Sequence, residues 1–232
     1  TLDRSSAASD VYKRQVHEVE AEVADVRATV GVDVHVVGVA GGVRRQIRVH
    51  GEAAVVLAAQ NLTGDLVDRV RPSVVHVVGD SETCHHRLMG SGFVIADGYV
   101  LTNAHVVAGT QLVNLDTVLG VKHADVVLYD PEVDIAVLHT PELGLPELTW
   151  APRELKSGDD AVVMGFPESG PFEADAVRVR TQLELSGPDI YATGRVERGA
   201  YTIRGDIRQG NSGGPMFTPE GQVIGMIFGT DV

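Results

Sequence analysis

The chain contains few of the residues that would cross-link a small domain or bind nucleic acid. Cys84 is the only cysteine among 232 residues, so neither an intrachain disulfide nor a thiolate metal cage can form. Aromatic residues make up only 5%, and 19 lysines and arginines face 32 aspartates and glutamates, for a formal net charge of −13. Because a phosphate-tracking surface needs clustered basic side chains, this composition argues against nucleic acid or an anionic membrane as the main partner.

Long hydrophobic runs are also missing. The nearest candidate, residues 32–43, is shorter than the roughly 18 apolar residues that a membrane span needs and carries Asp33 and His35. The N-terminus has no basic stub followed by an apolar stretch, so no signal peptide is expected. With 44% hydrophobic residues, the chain is nevertheless long enough to bury one large β domain or two small ones.

The first 64 residues carry no recognisable chemistry. Residues 1–15 are polar and aperiodic and resemble translated sequencing adapter, so we expect them to be non-native read-through. Valines at helical spacing between Val16 and Val30 predict a short amphipathic helix. Residues 16–64 are interpreted as an N-terminal appendage of unknown role, with translation in the wrong frame as the alternative.

From Asp65 onwards, short valine- and isoleucine-rich runs alternate with turn residues. This pattern, without helix-period segments of comparable length, predicts an antiparallel sandwich or barrel. Residues 143–158, which contain Pro146, Pro152 and Gly158, interrupt the series and read as a linker between two similar halves, 65–145 and 146–232. The predicted strands are residues 73–78, 92–95, 99–102, 124–128, 135–138, 161–164, 177–185, 200–203 and 223–228.

The clearest chemical signal is the segment 210–215, GNSGGP, between two predicted strands. Glycines around Ser212 allow backbone N–H groups to converge on one point, as an oxyanion site requires, although a glycine-rich turn is the alternative. The segment also fits the G-x-S-x-G elbow of α/β-hydrolases. That fold needs a triad histidine after the serine, whereas the last histidine here is His139. The esterase interpretation is therefore rejected.

A serine nucleophile then needs a histidine and an aspartate upstream. His105 follows an apolar strand that ends in Thr-Asn, and Asp134 enters another, where an unpaired carboxylate would cost several kcal/mol. A core histidine and a turn-capping aspartate are the alternatives for the two, and Asp130 before Pro131 fits the capping role better. The order His105, Asp134, Ser212 is that of a chymotrypsin-like triad.

These motifs resemble the trypsin-like serine proteases of the HtrA/Deg kind, and within them the membrane-anchored actinobacterial proteases of acid resistance. The resemblance implies an all-β fold of two antiparallel Greek-key β-barrels with the triad His105, Asp134 and Ser212 in the cleft between them. It further implies an oxyanion site made by the amides of Gly210 and Ser212. The matching stretches are residues 65–77, 90–109 (GSGFVIADGYVLTNAHVVAG), 130–138 (DPEVDIAVL), 185–191, 201–204 and 209–217 (QGNSGGPMF).

The resemblance also carries expectations about substrate and about the chain's end. Substrate would pair by β-augmentation with the strand containing Gly225, Met226, Ile227 and Phe228. Asn211 replaces the aspartate that binds a new N-terminal ammonium in digestive relatives, so activation should not depend on N-terminal insertion. The family continues beyond Val232 into a closing strand and a cysteine that pairs with the equivalent of Cys84. We therefore expect the second barrel to be incomplete at its C-terminal side.

The resulting hypothesis is a serine endopeptidase that cleaves proteins through an acyl-enzyme. It is expected to be extracytoplasmic, tethered to the membrane only through segments absent here, and to serve in stress or acid resistance. The alternative is a catalytically silent protease-fold fragment that only binds peptides. Protein or peptide substrates are expected as partners, with no cofactor and no metal, since neighbouring residues 84–86 point to opposite faces of a strand. Asp206, six residues before Ser212, is a substrate-binding candidate for the base of the specificity pocket, although a paired structural aspartate is the favoured interpretation.

Overall fold

The computed structural model describes residues 36–39, 64–81, 86–110 and 112–230. Twelve β-strands, one short α-helix, α1 (Gly64–Val70), and three single 3-10 turns fall within these ranges. The amphipathic helix expected at residues 16–30 and the side chain of Cys84 lie outside the described residues. The strands are β1 (Val36–Val39), β2 (Val74–Ser81), β3 (His86–Ala96), β4 (Tyr99–Thr102), β5 (Leu112–Thr117), β6 (Gly120–Asp130), β7 (Ile135–His139), β8 (Asp160–Gly165), β9 (Glu173–Pro188), β10 (Arg195–Arg204), β11 (Pro215–Phe217) and β12 (Val223–Thr230).

The first barrel closes on strands that are all near neighbours in sequence. Its order is β2-β3-β4-β7-β6-β5, and every pairing is antiparallel. The Asp97-Gly98 pair makes the β3–β4 turn, where Gly98 has φ +77°. Alternate strand residues face inward because side chains alternate across a strand. The resulting core contains Val75, Val77, Val94, Val100, Val106, Val107, Val113, Leu115, Ala124, Ala136, Leu138, Leu143 and Leu145.

The second barrel contains five antiparallel-paired strands and one strand from far upstream. Strands β8 to β12 are ordered β10-β9-β8-β11-β12, and β1 pairs in parallel with both β10 and β12. The long β9–β10 hairpin projects beyond the barrel. The core of the second barrel is formed by Leu155, Ala161, Val163, Val177, Val179, Tyr201, Ile203, Met216, Ile224 and Ile227.

Residues between the barrels and before them tie the two together. The linker uses its backbone on both sides, since Leu148 donates to the carbonyl of Val94 and Ala151 donates to that of Val223. Helix α1 precedes the first barrel but packs on the second, where Arg69 Nη2 donates to the Glu220 carbonyl at 2.6 Å. The linker and helix α1 therefore each connect the two barrels through hydrogen bonds.

The predicted all-β architecture of two barrels is confirmed, and strand β4 matches its predicted bounds. The strands downstream of Asp65 supply five members of the second barrel, which is closed and not incomplete as the sequence suggested. The sixth position is taken by Val36–Val39, a segment to which the sequence assigned no role. Among the described residues, no helix is both long and apolar enough to cross a bilayer.

Candidate active site

His105 lies on a short turn at the end of β4. Asn103 is still extended, with φ −81° and ψ 148°, and residues Ala104–Val106 form one 3-10 turn. The buried neighbours Ala104 and Val106 anchor this turn in the first barrel. The imidazole itself is 37% exposed and faces out of the core.

The side chain of His105 is held by the carboxylate of Asp134. The ring atom Nδ1 lies 2.8 Å from Oδ2, and the backbone N–H of His105 donates to Oδ1 at 2.9 Å. A carboxylate can only accept, so Nδ1 carries the proton. In neutral imidazole Nε2 is then the acceptor, and among the described residues it has no partner. This is the tautomer that a general base needs.

The backbone conformation of Asp134 allows its carboxylate to contact His105. Asp134 is 4% exposed and has φ +61°, a left-handed conformation that aspartate adopts more readily than most residues. The amide of Asn103 donates to the Asp134 carbonyl at 2.9 Å and holds the strained residue in place. Asp130 accepts from the amides of Glu132 and Val133, so the capping role predicted for it is confirmed.

The Ser212 loop docks against the first barrel beside the His105 turn. The N–H of Ser91 donates to the carbonyl of Ser212 at 2.7 Å. A Cβ on Gly90 would meet that carbonyl at 2.9 Å and the side chain of Val106 at 2.7 Å, so both lie against the same glycine. Gly213 has φ +83°, and a Cβ there would overlap the Ser91 carbonyl oxygen. Glycine is therefore required on both sides of this contact.

Three amides of the Ser212 loop are hydrogen-bonded and two are free. Asn211 donates to Arg208, Gly213 donates to Ile227, and Gly214 donates to Asn211. Among the described residues, no acceptor is bonded to the amides of Gly210 and Ser212. The Asn211 carbonyl is engaged by Gly214, so in a trans peptide the Ser212 N–H points the opposite way. These two free donors are the ones predicted for the oxyanion site.

The direction of the Gly210 N–H is set by the neighbouring loop, residues 166–169. Glu168 N–H donates to the Gln209 carbonyl at 2.5 Å, which turns the N–H of the same peptide to the opposite side. Gly210 has φ +96°, and a Cβ would overlap the Phe166 carbonyl oxygen. Glu168 and Ser169 themselves have φ +55° and +57°, backbone strain of the kind that collects at functional sites.

Asp206 lies on the surface beside an ion-pair network. Its carboxylate lies 3.7 Å from Arg208 Nε but is 80% exposed, so it is paired without being the buried carboxylate on which the structural interpretation was based. Arg208 also bonds Glu173 on β9, which raises the pKa of the guanidinium. Burial, together with Glu173, raises the pKa of the neighbouring Asp175 carboxyl. The network fastens the segment before Ser212 to the β9 strand.

The expected substrate strand needs a correction. Gly225 and Met226 pair with β11, and Ile227 exchanges backbone hydrogen bonds with Gly213 and Gly214. A substrate strand therefore cannot pair with these three residues on that side, and β1 lies along the other. Phe228, which is partly buried, is the first residue of β12 beyond the bonds to the Ser212 loop.

Two inter-barrel contacts near the site were not foreseen. The Ser91 hydroxyl bridges the Gly210 carbonyl and the Phe166 amide, at 2.7 and 2.9 Å. The only sequence signal is the small-residue run Gly90-Ser91-Gly92, which marks a close approach without naming its partner. Arg198 on β10 donates to the carbonyl of Glu132, next to the Asp134 loop, and its guanidinium lies 5.8 Å from the Phe228 ring.

Within the part of the chain that the structure describes, no group of three or more metal-ligating side chains comes together. Two β-barrels, with the bonded Asp134–His105 pair and the glycine-flanked Ser212 loop where the barrels meet, define the chymotrypsin-like class of fold. The family model for the trypsin-like peptidase domain matches residues 90–226, and this chain belongs to that family.

Curated relatives agree with this membership. The serine protease Rv3671c (MarP) of Mycobacterium tuberculosis is 45% identical over 170 residues, which make up 72% of this chain and 42% of the relative. A DegP-like periplasmic serine endoprotease of Halomonas elongata is 39% identical over 154 residues, 64% of this chain and 30% of the relative. The resemblance to HtrA/Deg proteases is confirmed. The chain spans less than half the length of these relatives.

Solved structures show the same fold. The Rv3671c protease from M. tuberculosis in its active form superposes with a TM-score of 0.71 at 41% identity, covering 82% of this chain and 83% of that one. The serine endoprotease from Yersinia pestis gives a TM-score of 0.56 at 26% identity and covers 69% of this chain and 55% of that one.

Proposed function

We propose that this chain is the protease domain of a serine endopeptidase that cleaves proteins through an acyl-enzyme. His105 Nε2 accepts the proton of Ser212 Oγ as the oxygen attacks the scissile carbonyl, and later returns it to the leaving amine. Asp134 keeps the imidazole in the required tautomer and stabilises the imidazolium. The Gly210 and Ser212 amides stabilise the oxyanion.

The observation that carries this proposal is the pair of free amides at Gly210 and Ser212, each opposite a bonded carbonyl. A silent peptide-binding module has no need for two backbone donors that lack acceptors beside a serine. A substrate oxyanion supplies the missing acceptor, which makes the loop suited to catalysis. Substrate would enter as an extended strand along β12 from Phe228 onwards, with main-chain hydrogen bonds that accept many sequences.

The relatives support a narrower setting for this activity. Two of them are described as periplasmic DegP-like endoproteases, which favours an extracytoplasmic location and a role in protein stress. Membrane tethering in the parent protein and a role in acid resistance belong to the same proposal. Fractionation of the native host, with antibody detection of the protease, would test the location, and recovery in the cytosol would contradict it.

A fluorophosphonate probe together with peptide turnover tests the activity. The wild-type chain should be labelled and should cleave an unstructured protein, whereas Ser212→Ala should lose labelling and about 10⁴-fold or more in kcat. Ser157→Ala, at an exposed loop serine, is the matched control and should behave like the wild type. Peptide binding by the wild type without labelling would favour the silent module instead.

A further inference from the structure

The hydroxyl of Ser91 connects the two barrels behind the candidate oxyanion site. Ser91 lies on β3 of the first barrel and is completely buried. Its Oγ donates to the carbonyl of Gly210 and accepts from the amide of Phe166, and both partners belong to the second barrel. A buried hydroxyl has one donor and two acceptor sites, so this side chain both gives and receives a hydrogen bond.

The backbone of Ser91 is engaged in the same junction. Its N–H donates to the Ser212 carbonyl, and its own carbonyl accepts from Thr102 Oγ1 at 2.7 Å. Ser91 lies opposite His76 in the β2–β3 ladder, with its backbone groups turned towards the Ser212 loop instead of β2. Three of its four bonds therefore reach the second barrel, around the residues that carry the free amides.

We propose that Ser91 is a positioning residue of the oxyanion site, and this rests on the proposed function above. Gly210 can rotate more freely than other residues, so the direction of its N–H must be fixed from both sides. The Ser91 hydroxyl holds the peptide that follows Gly210. Glu168 N–H holds the peptide that precedes it.

Both restraints depend on the same hydroxyl. Phe166 N–H is bonded to Ser91 Oγ, and Phe166 begins the turn that presents Glu168 N–H to Gln209. Ser91→Ala would leave the buried Gly210 carbonyl and the partly buried Phe166 amide unpaired. Both groups could recover partners only by moving, and either movement turns the Gly210 N–H away from the substrate oxygen.

The expected kinetic signature is specific to the transition state. Loss of a whole oxyanion donor costs about 10²–10³-fold in kcat, and Ser91→Ala keeps the donor but loosens it. We expect kcat to fall by about 10- to 100-fold with KM changed less than about twofold. Affinity for a peptidyl trifluoromethyl ketone should fall by the same factor, because its tetrahedral oxygen occupies the oxyanion position.

The matched control is Ser73→Ala. Ser73, directly before β2, is also buried, 1% exposed, and its hydroxyl donates to the carbonyl of Pro146 in the linker at 2.6 Å. Ser73→Ala should lower the melting temperature without changing kcat or inhibitor affinity. In Ser91→Ala the acid limb of the pH–rate profile should stay where it is, because Ser91 bonds neither His105 nor Asp134.

Ser91→Cys provides a second variant with similar shape and a weaker donor, and it should fall between wild type and Ser91→Ala. If Ser91→Ala does not fold, Ser91→Cys decides alone: wild-type kcat overturns the inference, and a several-fold loss with matching loss of ketone affinity supports it. Unchanged ketone affinity in Ser91→Ala, or equal kinetic losses in Ser73→Ala, also overturns it. A wild type that neither labels nor turns over overturns the proposed function, and with it this inference.

Discussion

The two barrels contribute to the site in different ways. The first barrel supplies His105 and Asp134, which are bonded directly to each other, with Asn103 of the same barrel holding the Asp134 carbonyl. The second barrel supplies Ser212 and Gly210, whose carbonyls are bonded to Ser91 of the first. The His105–Asp134 geometry is thus a property of one barrel, whereas the geometry of the Ser212 loop depends on contact between the two barrels.

The two barrels also differ in how far apart in sequence their strands lie. The first barrel closes on six strands within residues 74–139, all paired antiparallel. The second includes a strand from residues 36–39, far from its other members. Contacts between segments distant in sequence cost more loop-closure entropy to form. We therefore expect perturbations to reach the Ser212 loop more readily than the His105–Asp134 pair.

Among the variants considered, Asp134→Asn, in the first-barrel half of the site, should cause the largest loss of activity. The Asn amide can donate to His105 Nδ1, which then becomes the acceptor and leaves Nε2 protonated. Such a ring cannot take the Ser212 proton, so kcat/KM should fall by about 10⁴-fold with little change in the melting temperature. Steady-state kinetics and thermal melts of the purified variant measure both.

Asp130→Ala is the control for that variant. It removes the acceptor for the Glu132 and Val133 amides, and should lower stability by about 1 kcal/mol while leaving most of the activity. If the two variants lose activity equally, Asp134 acts through the shape of the loop and the assigned role in orienting His105 is wrong.

Gly210→Ala should disrupt the second-barrel half of the site by displacing the Gly210 amide. A Cβ at this position would overlap the Phe166 carbonyl oxygen, so the loop must shift and carry its free amide with it. Loss of that donor should lower kcat by about 10²–10³-fold. Gly158→Ala is matched in backbone, with φ +93°, but has nothing within 4 Å of the added atom.

The comparison between Gly210→Ala and Gly158→Ala separates the effect of backbone strain from the effect of displacing the Gly210 amide. Both substitutions place alanine in a left-handed conformation, which costs about 1–2 kcal/mol of stability. Only Gly210→Ala should also lose turnover, as measured by kcat on a peptide substrate. Equal losses of turnover would show that general destabilisation, and not the position of the amide, limits the reaction.

The strands that the sequence predicted well share a simple physical property. Strand β4, Tyr99–Thr102, is a short apolar run bounded by an Asp-Gly turn, and both signals are local. Strand β5 was missed because Asn114 and Asp116 interrupt its apolar residues, although Val113 and Leu115 alternate into the core. Strand β11 is only three residues long and begins with Pro215, which removes a ladder donor.

In the site, too, contacts between residues near in sequence could be predicted, whereas a contact between distant residues could not. His105, Asp134 and Asp130 could be predicted because their partners lie within a few dozen residues and their motifs have local meaning. Ser91 could not, because its hydroxyl bonds Gly210, which is 119 residues away. Only the folded chain shows which small residue meets which carbonyl. Inter-barrel bonds of this kind carry no sequence period and no turn signal.

Asp175→Asn should give the smallest effect, and it reports on the ion-pair network that fastens the segment before Ser212 to β9. Burial, Glu173 and Asp206 raise the pKa of the Asp175 carboxyl, while Arg208 opposes them. A carboxyl whose pKa is higher in the fold than in the unfolded chain favours folding when protonated and opposes it when ionised. At neutral pH the variant should therefore be more stable than wild type, by less than about 1 kcal/mol because the group is partly exposed.

The pH dependence of that gain tests its cause. It should shrink as the pH falls through the raised folded-state pKa and vanish below the ordinary value of 3.8, where both states are protonated. Asp189→Asn is the control of opposite sign, because hydrogen bonds from Thr193 and Tyr191 lower the pKa of the Asp189 carboxyl. Its stabilising contribution is present at neutral pH and lost as the pH falls through the lowered folded-state value, so this variant should melt below wild type at neutral pH only. Thermal melts of both variants from neutral to acidic pH measure the two trends. A gain for Asp175→Asn that stays constant with pH would mean that packing, and not charge in the second barrel, sets its stability.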